Sequence, residues 1–321
     1  MIVKKREMPV IIQMLEALLR RLPKNHPKRE KIIDDLMKRM AGYNGEKRLD
    51  YYLSFLDEKE FKIFQDLRLA SGKYYFQIDT ILITTKFALI LECKNWAGTI
   101  YFDQTFHQVL RTNNEKEEGF QDPLSQAEHQ CRQLKGWLNA HGFPPVPIEY
   151  AVVISHSSTI IKTSPGQSQI FNKVCHAHRL LNKIDSLEKF YQADYLNVKE
   201  IGKISRTFLK KHVPLEINIL KKYDIEPTEI LSGVPCPKCS DLPMIYEWGK
   251  WHCSSCKISS ATAHIQAVHD YFLLIKPKIT NSDFRSFLQI SSIHSAARLL
   301  SSMKLPYTGN KRYRVYEKPQ V

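Results

Sequence analysis

The stretch formed by residues 76–96 is the part of the sequence that most constrains the fold. Two apolar, β-branched runs flank the polar residues 84–86 there, and this pattern predicts a β-hairpin. Both runs are too apolar for strands that face solvent, yet they contain Asp79, Glu92 and Lys94. A charge in a buried strand is costly unless it is paired or binds a metal. These three charges therefore need a physical explanation.

The geometry of a hairpin offers one explanation for the three charges. A turn about Thr85 and Lys86 sets Asp79 opposite Glu92, with Cβ atoms about 4.5–5.5 Å apart. Two carboxylates this close repel unless one is protonated or a cation lies between them. Mg²⁺ is the natural cation, because it takes oxygen ligands and keeps waters for substrate phosphates. Lys94 shares a face with Glu92, where it can orient or activate a water, or stabilise charge on phosphorus. An ordinary buried carboxylate–lysine ion pair is the alternative.

The overall charge of the chain bears on its partner. The 321 residues include 47 Lys and Arg against 33 Asp and Glu, a formal net charge of +14. This favours a polyanionic partner, nucleic acid first and an anionic membrane surface second, over a basic surface that serves solubility alone. No apolar run approaches the roughly 18 residues of a membrane span, and the N-terminus lacks a signal-peptide core. We expect a cytoplasmic protein that does not associate with a membrane.

Helical and extended patterns alternate along the first two thirds of the chain. The order predicts an α/β core, a mixed sheet flanked by helices. A break at residues 42–45 is expected before a helix that opens at Glu46. Helices are expected over residues 9–22, 28–40 and 187–212, and two more are expected to begin at residues 46 and 123. Strands are expected over 61–69, 99–102, 106–111 and 148–154. Loops are expected over 113–119 and 155–169.

Four groups of residues in this region resemble the motifs of the NERD (nuclease-related) domain, which is similar to the PD-(D/E)-x-K nucleases. They are Gly45-Glu46, Phe76-Gln77-Ile78-Asp79, Glu92-Cys93-Lys94-Asn95 followed by Gly98, and Asp122-Pro123-Leu124-Ser125-Gln126. They occur in the family order over about residues 40–155. The resemblance implies a restriction-endonuclease-like core. Ile78 stands where many members have Pro, and Asp122 stands where NERD sequences often have Asn, but neither change removes a metal ligand.

The resemblance also implies a role for individual residues. Asp79 and Glu92 would hold Mg²⁺ or Mn²⁺, with help from the carbonyl of Cys93, and Lys94 would be the catalytic lysine. Glu46 would complete or support the metal site, although an acid in the first turn of a helix is also favoured by the helix dipole alone. Gln126 would face the active-site cleft.

The C-terminal third contains a second metal-binding pattern. Cys236 and Cys239 form one C-x-x-C pair and Cys253 and Cys256 form another, with residues 240–252 between them. Two such pairs at this spacing predict a zinc ribbon. Four thiolates make a closed tetrahedral site, so the zinc is expected to be structural. A redox pair or an iron–sulfur cluster is the competing use.

The last sixty residues predict three helices, over 264–274, 279–288 and 291–303, followed by a β-hairpin. This order resembles a winged helix–turn–helix domain, and residues 261–321 carry nine Lys and Arg against three Asp and Glu. In a DNA complex the third helix would face the major groove and the wing would contact phosphate. A winged helix that docks a protein is the alternative. The residues expected to bind nucleic acid are His294, Ser295 and Arg298 in the helix, and Arg312 and Arg314 in the wing.

These patterns together predict four parts and one function. The parts are an N-terminal helical segment over 1–40, a NERD nuclease-like domain over 41–215, a zinc ribbon over 225–260 and a winged-helix-like domain over 261–321. The expected function is a Mg²⁺-dependent nuclease that hydrolyses phosphodiester bonds by in-line attack of water, with DNA favoured over RNA. A catalytically silent DNA-binding accessory protein with a nuclease-like fold is the alternative. The sequence does not indicate an oligomeric state.

Overall fold

The structure is a computed structural model that describes residues 1–310 and 313–319. The chain forms two compact units: the first contains Met1–Met8 and Arg39–Leu215, and the second contains Pro9–Lys38 and Glu216–Val321. The N-terminal segment that the sequence predicted over 1–40 is therefore divided between the two units. The other predicted boundaries stay predictions.

The regular elements are numbered in chain order. The strands are β1 (Ile2–Lys4), β2 (Lys62–Ser71), β3 (Tyr74–Ile83), β4 (Ala88–Lys94), β5 (Thr99–Asp103), β6 (Gln108–Asn113), β7 (Lys116–Gln121), β8 (Ile148–Ile154), β9 (Ile160–Thr163), β10 (Val174–His176), β11 (Ile245–Glu247), β12 (Lys250–His252), β13 (Ser259–Ser260), β14 (Lys278–Thr280), β15 (Tyr307–Thr308) and β16 (Val315–Glu317). The α-helices are α1 (Val10–Arg21), α2 (Arg29–Leu53), α3 (Pro123–Ala140), α4 (Ser168–Lys173), α5 (Leu180–Phe190), α6 (Val198–Lys211), α7 (Ile219–Tyr223), α8 (Ala263–Leu274), α9 (Asn281–Leu288) and α10 (Ile293–Ser302), and short 3₁₀ helices cover Ala177–Arg179 and Pro227–Glu229.

A six-stranded mixed sheet with the strand order β1-β2-β3-β4-β8-β10 is the centre of the first unit. Strands β2, β3 and β4 are antiparallel neighbours, whereas β1 runs parallel to β2, and β8 runs parallel to both β4 and β10. Successive side chains of a strand point to opposite faces. Ile81 therefore packs with apolar residues of α3 and α6, while Leu82 packs with residues of α2 and α5. The predicted mixed sheet flanked by helices is confirmed.

A second sheet, with the order β7-β6-β5-β9, covers residues that the sequence analysis assigned partly to loops. The expected loop at 113–119 is wrong, because β6 and β7 pair there in a hairpin. Asn114 and Glu115 join these strands with φ of 50° and 62°, the backbone of a mirror-image two-residue turn. The expected loop at 155–169 contains β9, which pairs in parallel with β5. Strand β7 is polar and faces solvent, so it has no hydrophobic run that would reveal it in the sequence.

Helix α2 continues through the glycines that were expected to break it. A Cβ atom on Gly45 would lie 2.4 Å from Cβ of Asn95 and 2.7 Å from Oγ of Ser155. The glycine therefore serves a close approach of the helix to the end of β4, and the predicted break at 42–45 is wrong. The single helix expected over 187–212 is also wrong, because the chain forms α5 and α6, the latter opened by a capping box at Asn197.

The second unit combines a small zinc-ribbon sheet with a winged-helix-like arrangement. The ribbon strands lie in the order β11-β12-β13, and the wing strands lie in the order β14-β16-β15. Thr280 caps α9 through a capping box with Asp283, and Ser292 caps α10, as polar residues before apolar stripes do. A buried ion pair joins Arg21 of α1 to Asp270 of α8, with 2.9 Å between Nε and Oδ2. No helix in the described part of the chain has the length and apolarity that a membrane crossing requires.

Candidate active site and zinc centre

The hairpin between β3 and β4 has the register that the sequence predicted. Thr80 pairs with Leu91, and the pairing continues to Ile83 and Ala88, with residues 84–87 in the loop. The Thr84 hydroxyl accepts the N–H groups of residues 86 and 87 at 3.1 and 3.0 Å, which stabilises a loop whose sequence is otherwise a poor turn. The pairing ends one step before Asp79 and Glu92, which lie near enough for their charges to repel each other.

Glu92 is buried and Asp79 is half-buried, and both carboxylates receive hydrogen bonds. Oδ2 of Asp79 accepts the N–H of Cys93 at 3.2 Å. Glu92 is 2% exposed, and Nζ of Lys94 donates to its Oε1 at 2.7 Å. The same ammonium donates to Oε1 of Gln126 at 3.1 Å, so the lysine is held between a strand and a helix. The structure therefore brings these four predicted site residues together at the C-terminal end of β4.

Helix α3 supplies Gln126 and a second glutamine that the sequence analysis did not select. Asp122 caps this helix by accepting the N–H of Leu124 at 3.0 Å, and Pro123 occupies its first turn. Four residues after Gln126 and on the same face, Gln130 donates Nε2 to Oε2 of Glu92 at 2.9 Å. Its Oε1 is buried and has no hydrogen-bond partner among residues 1–310 and 313–319. An additional group is needed to satisfy that oxygen.

Glu46 lies on α2 and is bound to an arginine from the N-terminal segment. Nη1 of Arg6 contacts Oε2 of Glu46 and lies 3.3 Å from Oδ1 of Asp66. Nη2 of Arg6 donates to the hydroxyl of Thr80 at 2.9 Å and to the backbone carbonyl of Asp79 at 3.4 Å. Glu46 is thereby fixed next to the hairpin, although its direct partner is the guanidinium.

Burial and mutual repulsion change the protonation of the carboxylates. Burial raises the pKa of Asp79 well above its ordinary value, and repulsion from Glu92 and Glu46 adds to this, while Lys94 and the N–H of Cys93 act in the opposite direction. Burial also raises the pKa of Glu46 to about 7 despite the attraction of Arg6. Carboxylates that repel in this way are the arrangement that a bound divalent cation would relieve.

A divalent cation fits this group of side chains by its chemistry, but the carboxylates are not gathered around one point. Within the described ranges, the four cysteines alone form a group of three or more candidate ligand side chains with all ligand atoms within 4.8 Å of one another. Glu46 is drawn to Arg6 and Glu92 to Lys94, which explains the separation. The oxygen donors and the unsatisfied Oε1 of Gln130 suit Mg²⁺ or Mn²⁺. The metal-binding and catalytic roles of these residues stay predictions.

The two cysteine pairs come together in a cluster that could hold a metal ion, as their spacing predicts. Sγ of Cys236 lies 3.5 Å from Sγ of Cys256, and Sγ of Cys239 lies 3.5 Å from Sγ of Cys253. Four Zn–S bonds of about 2.3 Å in a tetrahedron place sulfur atoms about 3.8 Å apart. The knuckle backbone holds the thiols, because the N–H of Ser240 bonds the carbonyl of Cys236 at 2.9 Å. The four cysteines can hold a structural zinc ion.

The residues predicted to bind nucleic acid occupy helix α10 and the wing of the second unit. His294 and Arg298 are exposed, whereas Ser295 is half-buried. Nη2 of Arg298 donates to the Tyr246 hydroxyl of β11 at 3.4 Å, so α10 contacts the three-stranded sheet beside the cysteines. The guanidinium of Arg314 lies 4.4 Å from the centre of the Tyr307 ring. Arg312 lies outside the described residues.

The sequence analysis missed several charged and polar residues that contact the predicted site. They are Arg6, Asp50, Asp66, Thr80 and Gln130. Gln130 had a signal, because it lies one helical turn after Gln126. Arg6 had none, because its position depends on the parallel pairing of β1 with β2, which are about sixty residues apart in the chain.

The fold and this site define a protein with a nuclease-like mixed sheet and a separate four-cysteine centre. Residues 41–155 match the model of a family described as the nuclease-related domain (NERD). The matched segment contains Glu46, the whole hairpin and Gln126, and it ends before the zinc ribbon. The resemblance expected from the four motifs is confirmed. No curated protein and no solved structure matches the chain.

Proposed function

We propose that the chain is a Mg²⁺- or Mn²⁺-dependent nuclease that hydrolyses phosphodiester bonds in DNA. The observation that carries this proposal is the placement of Asp79, Glu92 and Lys94 at one end of the hairpin inside a segment that matches a nuclease-related family. Two neighbouring carboxylates and a lysine are groups that suit metal-assisted attack of water on phosphate.

The side chains have distinct roles in this proposal. Asp79 and Glu92 would hold the cation, and Glu46 would complete or support the site. When bound, the cation would stabilise charge on the phosphate and lower the pKa of a bound water. Lys94 is 21% exposed in its side chain, so its ammonium can reach a water or a phosphate oxygen while Glu92 and Gln126 orient it. Gln126 would act by holding that ammonium towards the cleft.

The second unit would deliver the nucleic acid. The exposed Arg298 of α10 and Arg314 of the wing suit a polyanion, and the net charge of +14 supports this role. We favour DNA over RNA because the winged-helix-like arrangement places a helix where it can enter a major groove. The four-cysteine centre with three further free cysteines supports a reducing, cytoplasmic location.

Cleavage of supercoiled plasmid by the full-length, zinc-loaded protein tests the chemistry. We expect nicking that depends on added Mg²⁺ or Mn²⁺ and that Lys94→Ala abolishes. Lys116→Ala removes an exposed lysine of β7 and is the matched control, which should nick like the wild type. Omission of Mg²⁺ is preferable to a strong chelator, because a chelator would also remove the zinc.

The possible results separate the alternatives. A wild type that matches Lys94→Ala on DNA, while it holds zinc and binds DNA, would contradict the DNA-nuclease proposal. Metal-dependent cleavage of RNA under the same conditions would then correct the substrate. No cleavage of either polymer would leave the silent DNA-binding accessory protein as the better account.

A salt series tests the delivery role separately. Full-length protein should bind duplex DNA less tightly as salt rises, and Arg314→Ala should reduce the slope of log K against log salt by about one. Lys221→Ala in α7 removes an exposed cation away from the wing strands and is the control. Affinity that does not respond to salt would rule out phosphate contacts as the source of binding.

A further inference from the structure

We propose that Arg6 is a positioning residue of the candidate active site, so that residues 1–8 are a functional part of it. This proposal rests on the proposed function. Arg6 lies outside residues 41–155, the segment that matches the nuclease-related family. The site would therefore be incomplete in the matched segment alone.

Contacts with β2 bring the arginine to the site. Strand β1 pairs in parallel with β2, and Nζ of Lys4 donates to the carbonyl of Gln65 at 2.9 Å. Two residues later, the N–H of Arg6 donates to Oε1 of Gln65 at 2.6 Å. Backbone pairing and a side-chain bond thus direct the guanidinium towards α2 and β3. The side chain is 2% exposed, so it is a built part of the interior.

The side chain of Arg6 joins several elements of the site. The guanidinium contacts Glu46 of α2, Asp66 of β2 and the Thr80 hydroxyl of β3, and its Nε lies 3.6 Å from Oδ1 of Asp50. It also donates to the carbonyl of Asp79, the backbone of a predicted metal ligand. A planar guanidinium can make these contacts together because its donors form a fixed fork.

These contacts also fix the position of Glu46. Three carboxylates surround one guanidinium, so without it Glu46 would face the charges of Asp50 and Asp66 with no cation between them. Glu46 would then rotate away or take up a proton. Arg6 instead holds Oε2 of Glu46 beside the hairpin. Residues that orient a metal ligand from outside the coordination sphere typically change metal affinity or activity by about 10- to 100-fold when they are replaced.

The sign of the metal-affinity change separates positioning from simple charge balance. Removing a positive charge near a cation site should tighten cation binding if charge balance were the whole role. Loss of positioning should weaken it. We expect Arg6→Ala in the full-length, zinc-loaded protein to bind Mn²⁺ about 10-fold or more weakly, measured by electron paramagnetic resonance of the free ion. Lys5→Ala removes the exposed neighbouring cation and should bind Mn²⁺ like the wild type.

Two further variants test whether Arg6 acts through its fork of donors and through Glu46. Arg6→Lys retains the charge without the fork, so it should recover only part of the Mn²⁺ affinity that Arg6→Ala loses. Glu46→Ala should weaken Mn²⁺ binding, and adding Arg6→Ala to it should change the affinity little, because Arg6 acts through Glu46. Circular dichroism and zinc content should confirm that each variant is folded.

The results of these experiments distinguish an incorrect role for Arg6 from an incorrect metal site. Unchanged or tighter Mn²⁺ binding in folded Arg6→Ala, with binding lost in Asp79→Asn, would overturn the role of Arg6 and leave the metal site standing. Fully additive effects of the Arg6 and Glu46 substitutions would also overturn it. A wild type that binds no Mn²⁺ through Asp79 would overturn the metal site and this proposal together.

Discussion

Replacing Glu46 with glutamine should remove much of the pH dependence of the stability of the first unit. Burial raises the pKa of Glu46 from 4.5 to about 7, and repulsion from Asp66, Glu92 and Asp50 opposes the attraction of Arg6. The folded protein therefore keeps this proton to a higher pH than the unfolded chain does. Between these pH values the folded state binds more protons, so the free energy of unfolding falls as the pH rises. The amide of the substituted side chain would have no such proton to lose.

The size of the effect follows from the two pKa values. At pH 5 the unfolded chain has largely ionised this carboxyl while the folded protein has not, and at pH 8 both have. Linkage between these limits gives a loss of about 2.5 kcal/mol in the free energy of unfolding of the Mg²⁺-free protein. The side chain of Glu46 is 22% exposed, so solvent screens only part of this effect. In Glu46→Gln that loss should be absent.

The assay must follow the first unit alone. Urea titrations at pH 5 and pH 8 in Mg²⁺-free buffer, with the zinc retained, can be read by pulsed hydrogen exchange and mass spectrometry of peptides from β3 and β4. Glu117→Gln, at an exposed position of β7, is the matched control and should keep the wild-type pH dependence. Added Mg²⁺ should stabilise the wild type more at pH 8 than at pH 5, because the cation competes with the proton. Equal pH dependence in wild type and Glu46→Gln would refute the electrostatic reasoning.

Three further predictions concern packing and the zinc centre. Gly45→Ala should destabilise the first unit by about 1–3 kcal/mol in urea titrations, because its Cβ would clash at 2.4 Å, whereas Gly42→Ala in the same helix meets nothing within 4 Å and should not. Cys253→Ser should reduce bound zinc from about one ion per chain towards none by elemental analysis. Asp270→Asn leaves Arg21 buried without its counter-ion and should cost the second unit about 3–5 kcal/mol in the same titrations. Zinc retained in Cys253→Ser, or unchanged stability in the other two, would contradict the corresponding contact.

The hairpin and its register were predictable because they depend on local rules. Alternation along a strand and a turn at Thr85 and Lys86 are enough to set Asp79 opposite Glu92. The four-cysteine cluster was predictable for a similar reason, since two pairs of cysteines at short spacing are typical of a metal site. The helices expected over 279–288 and 291–303 correspond to α9 and α10, which polar caps at Thr280 and Ser292 open.

The parts that were missed depend on contacts between distant segments. Residues 42–45 contain two glycines, which locally favour a break, but the close approach of Gly45 to Asn95 requires a glycine inside the helix. Arg6 enters the site only because β1 joins the edge of a sheet whose other strands begin at residue 62. The periodicity within either segment does not indicate such a contact. When a site is assembled from several elements, the sequence therefore predicts only those of its residues that belong to a local motif.

The balance of charge at the site is a physical reason to prefer a nuclease over a silent fold. Burial raises the pKa of Asp79 and Glu46, which means that the folded protein holds these acids at a cost in stability. Lys94 and Arg6 offset part of that cost, yet replacing a buried ionic group with apolar residues is often neutral or stabilising. A protein that used this unit only as a scaffold would gain from losing the acids. A bound cation would relieve the repulsion, which supports the proposal that these carboxylates hold a metal ion.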